Sequence, residues 1–210
     1  DVLYLQPTLS TEWEATEAAG FLKSEGNAYV SHNPGADTFE DVLAAMHSRG
    51  RSKIRRERKK VAAEGLTYRN HSDDSLTAEI AAPFFELYSA TYNHNKTELW
   101  HNLAYFEQIF KTMADVQDLT FAYRGDELVA MQLSFLSEDT IYAQHWGHLG
   151  NIRFLHFELG IYQTVEVALA QGKSAINFGT TGQHKAERGI AMEPAYHSLW
   201  FRSPDFAEIA

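Results

Sequence analysis

The chain has 210 residues, 44% of them hydrophobic and 13% aromatic, with no cysteine and a formal net charge of −10. This length and apolar content suit one large domain or two small ones around a buried core, and exclude disorder over most of the chain. Lack of cysteine excludes disulfides, thiolate metal sites and cysteine nucleophiles. No apolar run approaches the ~18 residues of a membrane span and no signal-peptide pattern is present, so a soluble, cytoplasmic protein is expected. Because the sequence begins at Asp1 rather than methionine, it is expected to be processed or cut from something longer.

In chain order, VLYLQ reads as a short strand, TEWEATEAAGFLKS as a helix and NAYVSHN as a second strand. Asp37 with Glu40 three residues on has capping-box spacing, and Phe39, Val42, Leu43 and Met46 follow at helical intervals. Gly50 interrupts. A second helix then runs through the basic segment to Ala63 and stops at Gly65. LTYRN is a strand. Helical patterns follow from about Leu76 to Tyr92 and from about Leu103 to Met113. DLTFAYRG, ELVAMQLSFLS and DTIYAQHWGHL form an antiparallel meander, joined by a tight turn at Arg124 to Glu127 and another at Ser137 to Asp139. RFLHFELGIYQTVEVALAQG is a strong helix closed by Gly172. KSAINFG is a strand able to pair parallel with the third meander strand, and AYHSLWF is the last strand. This order predicts an α+β (α/β-like) fold with a mixed, mainly antiparallel sheet flanked by helices.

Charge is uneven. RGRSKIRRERKK, from Arg49 to Lys60, holds eight basic residues and one acid, which leaves ten basic against 27 acidic residues elsewhere. A locally basic segment in an acidic protein points to local anion binding. On a helix Arg51, Arg55 and Arg58 share one side, and Arg49, Lys53, Arg56 and Lys60 another, with Lys59 among them. Cations spaced in this way suit a polyphosphate or an RNA backbone. The plainer alternative is a solvated face that balances the acidic remainder.

FEDVLAAMHSRGRSKIRRERKKVAAEGL, IYAQHWGH, LHFELGIYQTVEVALAQG and FGTTGQHKAERG, in this order, resemble the FemAB-like (peptidoglycan biosynthesis/recognition) proteins of the GNAT acyltransferase superfamily. The resemblance covers most of the chain from about Phe39. It implies that residues 1–36 are the remnant of an N-terminal GNAT-like half. Residues 37–210 would be a GNAT-like acyltransferase domain with a basic helix over 49–64. It also implies transfer of an aminoacyl group from charged tRNA to an amine, with no other cofactor. The long helical arm of the cell-wall Fem ligases is not evident, which disfavours a peptidoglycan precursor as acceptor and leaves an amino acid, a peptide or a small metabolite amine equally open.

Strand alternation through IYAQHWGHLGN puts Tyr142, Gln144 and Trp146 on one face, and Ile141 and His145 on the other. In a GNAT fold the acyl donor lies at this strand end. An acetyl-CoA binder needs a glycine-rich turn there to hold pyrophosphate at the helix N-terminus, whereas GHLGNIRF has only separated glycines, which favours tRNA over acyl-CoA as donor. Core and rim packing is the alternative for His145 and Trp146. HWGH lacks a third ligand, so no metal is expected. In LHFELGIYQ, His156, Gly160 and Gln163 fall on one helical side, with Glu158 and Tyr162 a neighbouring pair. Glu158 or His156 could deprotonate the acceptor amine, or could simply bond within the core.

FGTTGQHKAERG lacks the order of a nucleotide P-loop, but it leaves the sheet where open α/β sheets bind ligands. Gln183, His184, Lys185 and Arg188 are expected to contact substrate or donor phosphates. The alternative is an ordered connection pinned by Lys185 and Arg188. The combined expectation has Glu158, His156 and His145 at the chemistry and Tyr142, Trp146, Tyr162, Gln163, Gln183 and His184 at the substrate. Lys185, Arg188, Arg51, Lys53, Arg55, Arg56, Arg58 and Lys59 would hold phosphate or tRNA. An acyl-CoA N-acyltransferase and a non-catalytic RNA or cell-wall binding module are the competing readings. Oligomeric state is not legible.

Overall fold

A computed structural model describes residues 2–8, 10–33, 35–72 and 77–203. The strands are β1 (Val2–Thr8), β2 (Leu22–His32), β3 (Leu66–Ser72), β4 (Gln117–Arg124), β5 (Glu127–Leu136), β6 (Thr140–His148), β7 (Ala175–Asn177) and β8 (Ala191–Phe201). The helices are α1 (Ser10–Ala18), α2 (Phe39–Ala45), α3 (Ser48–Ala62), α4 (Ala81–Asn95), α5 (Leu103–Thr112), α6 (Leu155–Phe157) and α7 (Thr164–Ala170). Mixed strands and helices with mainly antiparallel pairing give the α+β class expected from the sequence.

Two compact units emerge. One joins residues 1–30 to 179–210, the other holds residues 31–178. In the first, β8 lies between β1 and β2, antiparallel to both. α1 is fastened to β8 by Trp13 Nε1, which donates to the His197 carbonyl at 2.9 Å, and by a 2.6 Å bond between the Thr16 and Ser198 hydroxyls. α1 stops at Ala18, short of the expected helix, because Gly20 takes a left-handed φ of 85° and turns the chain into β2.

In the second unit the strand order is β7-β6-β5-β4-β3. β3 to β6 pair antiparallel and β7 pairs parallel with β6. β7 is reached through the helical stretch 155–170, the crossover that a parallel pair needs. One face of the sheet carries α4 and α5. Phe84, Leu87, Tyr88, Phe106, Ile109 and Phe110 pack there on Leu119, Phe121, Met131 and Leu133, all buried. Each such side chain contributes about 1.5–3 kcal/mol on burial. The other face carries Val61 of α3 with Leu155 and Leu159, over Ala122, Val129 and Ala130.

Three further boundaries differ from the sequence reading. The capping box of α2 sits one residue later: the Thr38 hydroxyl accepts from the Asp41 N–H, and the Asp41 carboxylate accepts from the Thr38 N–H at 3.0 Å. Gly50 lies inside the first turn of α3, and the break between α2 and α3 falls at Met46 and His47, both extended. α4 begins at Ala81 rather than near Leu76, which lies outside the described residues. Pro83 explains the late start, since its ring is tolerated in the first turn and clashes further in.

β6 also carries a bulge. Leu133 pairs with His145 and Ser134 with Ala143, so Gln144 is an extra residue. Alternation therefore changes phase, and Tyr142 shares a face with His145 while Ile141 shares one with Trp146. Beyond the bulge β6 comes very close to α4: a Cβ on Gly147 would lie 2.4 Å from the Tyr88 nitrogen and 2.5 Å from the Leu87 carbonyl carbon. Both obstacles are backbone and cannot yield cheaply. Gly147→Ala is expected to cost about 1–3 kcal/mol in urea unfolding, as overpacking does.

Candidate functional site

The helical stretch after β6 is irregular. Between α6 and α7, Glu158–Gln163 forms a π-turn, whose hydrogen bonds span five residues rather than four. Residues five apart therefore meet, and Gln163 Nε2 donates to Glu158 Oε1 at 2.9 Å. The expected neighbour of Glu158, Tyr162, instead donates its hydroxyl to Glu57 Oε2 of α3 at 2.5 Å. Gly160 lets the wide turn approach β5: an added Cβ would stand 3.2 Å from Gln132 Oε1 and 3.5 Å from His156 Cδ2.

Glu158 is only 3% exposed. Arg58 of α3 reaches its Oε1 with Nε at 3.3 Å and Nη2 at 3.2 Å, and gives Nη1 to Glu166 Oε1 at 2.9 Å. The guanidinium lies over the Phe39 ring, 4.4 Å from its centroid. Burial works against the Arg58 charge, but Glu158 and Glu166 outweigh it and hold its pKa above the usual value. All three donors converge on one carboxylate oxygen. Oε2, equally buried, has no hydrogen-bond partner. Beside it, burial raises the pKa of the Tyr68 phenol; the charge of Glu158 adds to this and Arg58 opposes it.

His145 lies across the sheet from this cluster. It packs edge-on against Tyr88, Tyr105 and Phe106, with the Tyr105 hydroxyl 3.4 Å from Nε2. Burial, with His101 adding, pushes its pKa down to about 4. Trp146 is on the Glu158 face, stacked with His156 at 4.4 Å and His148 at 4.5 Å. Tyr142 is half-buried on the His145 face, and Gln144 is exposed at the bulge. The structure thus gathers Glu158, Gln163 and Tyr162 with α3, sets His156 beside Trp146, and keeps His145 and Tyr142 apart from them.

β7 pairs only with Thr140–Tyr142, so β6 beyond Tyr142 has no β7 partner. This parting begins at the bulge and leads toward α6.

In the other unit, Gln183–Arg188 forms a 3₁₀ turn between Gly182 and Gly189, both left-handed. Arg188 is buried and donates to the His184 carbonyl at 2.6 Å. The Lys185 ammonium stands 5.6 Å from the Tyr29 ring centroid, and burial lowers its pKa to about 8. The basic helix is divided. Arg51 Nη1 lies 3.3–3.4 Å from the carbonyls of Leu43, Ala44 and Met46, and Arg55 pairs with Glu40 at 2.5 Å. With Arg58, these bind α3 to its neighbours. Arg49, Arg56, Lys59 and Lys60 are exposed. Among the described residues no His, Cys, Asp and Glu cluster could hold a metal ion, and no helix is long and apolar enough to cross a membrane.

Glu57, Tyr68 and Glu166 are not among the site residues expected from the sequence, and Phe39 is expected only as an apolar helix position. Glu57 carried a usable signal: it is the one acid within the basic run and falls on the helix side of Ile54 and Val61, all three buried.

An antiparallel meander, a crossover helix and a parallel strand that parts from its neighbour define a GNAT-like fold. The chain belongs to the FemAB-like family, described as peptidoglycan biosynthesis/recognition, which it matches over residues 1–210. Among solved structures it is similar to FemX, at 14% identity and a TM-score of 0.66, covering 99% of this chain and 74% of that one. L-PGS from Bacillus licheniformis matches at 11% identity and a TM-score of 0.65, over 99% of this chain and 70% of the other. A C-terminal DUF2156 domain from Agrobacterium fabrum, provisionally assigned to a lysylphosphatidylglycerol synthetase, matches at 12% identity and 0.65, over 98% and 69%. No curated protein matches the chain in sequence. The family and the shared fold point to an acyltransferase.

Arg58→Ala would leave Glu158 as a buried charge without its cation. Breaking a fully buried pair costs about 3–5 kcal/mol; with the Arg58 side chain 28% exposed, about 2–3 kcal/mol is expected from urea unfolding. Glu158→Gln in the same chain should recover part of the loss.

His145 makes a separate prediction. Its folded pKa lies below the ordinary 6.5, so the unfolded chain binds more protons between these values. The stability it contributes is complete above about pH 6.5 and falls as pH drops toward about 4, by up to ~1.4 kcal/mol per unit per proton. His145→Phe should flatten the stability profile over that window, measured by urea unfolding at pH 7, 6 and 5.

Proposed function

We propose that the protein is an aminoacyltransferase that moves an aminoacyl group from charged tRNA to the amine of an amino acid, peptide or small metabolite. The observation that carries this reading is Glu158: a buried carboxylate, fixed through one oxygen by Arg58 and Gln163, with its other oxygen unpartnered. Family membership supports the reaction class, and a peptidoglycan-precursor peptide is one acceptor that the family description suggests.

An acceptor amine arrives protonated and is not nucleophilic in that form. Glu158 Oε2 takes one proton, directly or through a water, and the freed lone pair attacks the ester carbonyl of the donor. Backbone N–H groups along β6 near His145 to Gly147, where β7 has parted, would stabilise the developing oxyanion. The C–O bond breaks, the ribose hydroxyl leaves with the second amine proton, and an amide remains. The ester is already activated, so holding the two reactants together supplies much of the rate. Exposed cations of α3 hold the tRNA. A tRNA donor would place the reaction in the cytoplasm.

Incubation with charged total tRNA and a pool of amines should give an enzyme-dependent amide by mass spectrometry, with acyl-CoAs run in parallel. Glu158→Gln should lower kcat by about 10²–10⁴-fold, with donor affinity unchanged. Product from acyl-CoAs alone, or none from either donor, tells against the reading.

A further inference from the structure

We propose that the outward side of α3, extended past its C-terminal end by Arg153, is a track for the phosphate backbone of double-helical RNA. The surface rests on the tRNA-dependent reading above, but its binding needs no transfer chemistry.

Three of the eight cations in the basic run, Arg51, Arg55 and Arg58, are occupied by α2, Glu40 and the acids near the π-turn. At 100° per residue, Arg49, Arg56 and Lys60 fall within ~40° of one another, with Lys59 at their flank. These four are exposed and form no ion pair among the described residues. From Arg49 to Lys60 the track is about 16 Å long, too long for one phosphate and suited to a row of them.

The row continues at Phe154. The Lys60 ammonium lies 5.6 Å and the Arg153 guanidinium 4.7 Å from this one ring. Phe154 has φ 71°, a left-handed conformation that a bulky aromatic residue rarely adopts. The ring keeps two like charges at one spot. Among the described residues no carboxylate pairs with either, which leaves both available to a ligand anion. Elsewhere the protein is strongly acidic, which confines a polyanion to this face. A lipid surface fits less well, because none of the exposed large apolar side chains lies on α3 or in residues 149–154.

The test uses fluorescence anisotropy with a non-aminoacylated RNA hairpin stem across a salt series. Four to five phosphate contacts on a duplex predict a slope of log affinity against log salt of about −3.6 to −4.5. Arg49→Glu with Arg56→Glu and Lys60→Glu should weaken binding at least tenfold and make the slope shallower by about two to three. Arg153→Ala alone should remove about one, and Lys111→Glu on α5 should change nothing. Circular dichroism melts of the variants check that folding is retained. Unchanged affinity and slope in the triple variant would falsify the track. So would binding confined to vesicles containing anionic lipid. RNA binding that behaves as expected, with no aminoacyl transfer by the same protein, leaves the track standing and overturns the transferase reading instead.

Discussion

The guanidinium of Arg58 is the contact on which the second unit turns. It stands on the Phe39 ring of α2, belongs to α3, and grips Glu158 and Glu166 on either side of the π-turn's end. Four helical segments are thus positioned by one planar cation. Lysine could not serve in the same way, since its ammonium lacks the fork that reaches two carboxylates while stacking on a ring. The adjacent Tyr162–Glu57 bond ties the same two segments a turn away and keeps α3 from rolling. What this arrangement leaves over is Glu158 Oε2, buried and without a hydrogen-bond partner.

The two faces of the sheet do different work. On the α4–α5 face, closely packed aromatic rings surround His145 and keep it neutral, while Gly147 admits α4 to backbone contact. On the other face, polar groups are brought together under α3 and the π-turn, and the packing is of smaller residues such as Ala122, Ala130 and Val129. A rigid aromatic slab on one side supports a polar arrangement on the other. Beyond Tyr142, β6 has no β7 partner along the boundary between these two regimes.

Much of the fold was legible because it rests on periodicity. The meander, its two turns, the crossover helix and the parallel return of β7 all follow from alternation and helical spacing. What escaped were places where one residue is added to a regular repeat. Gln144 adds one to β6 and the π-turn adds one to a helix. In each case the side chains beyond the insertion change face, so Tyr142 joined His145 and Glu158 met Gln163. Single-sequence periodicity has no means of locating such insertions, since they are stabilised by partners distant in the chain. Arg58 is 100 residues from Glu158, and nothing local in either segment announces the pair. The division of the basic helix was half legible: the two sides could be drawn from spacing, but not which of them faced carboxylates and carbonyls.

A helix with one surplus residue is two helices with independent phase. In the stretch 155–170, the part before the π-turn sets Leu155 and His156 against α3 and β6, while the part after it sets Ala168 toward β7. Removing a single residue between them would rotate one part by about 100° relative to the other. Substitutions within either part, by contrast, leave the other's orientation alone. The turn therefore separates two packing problems that a regular helix would join: the fit against Val61 and Trp146 ahead of it, and the support of the sheet behind it.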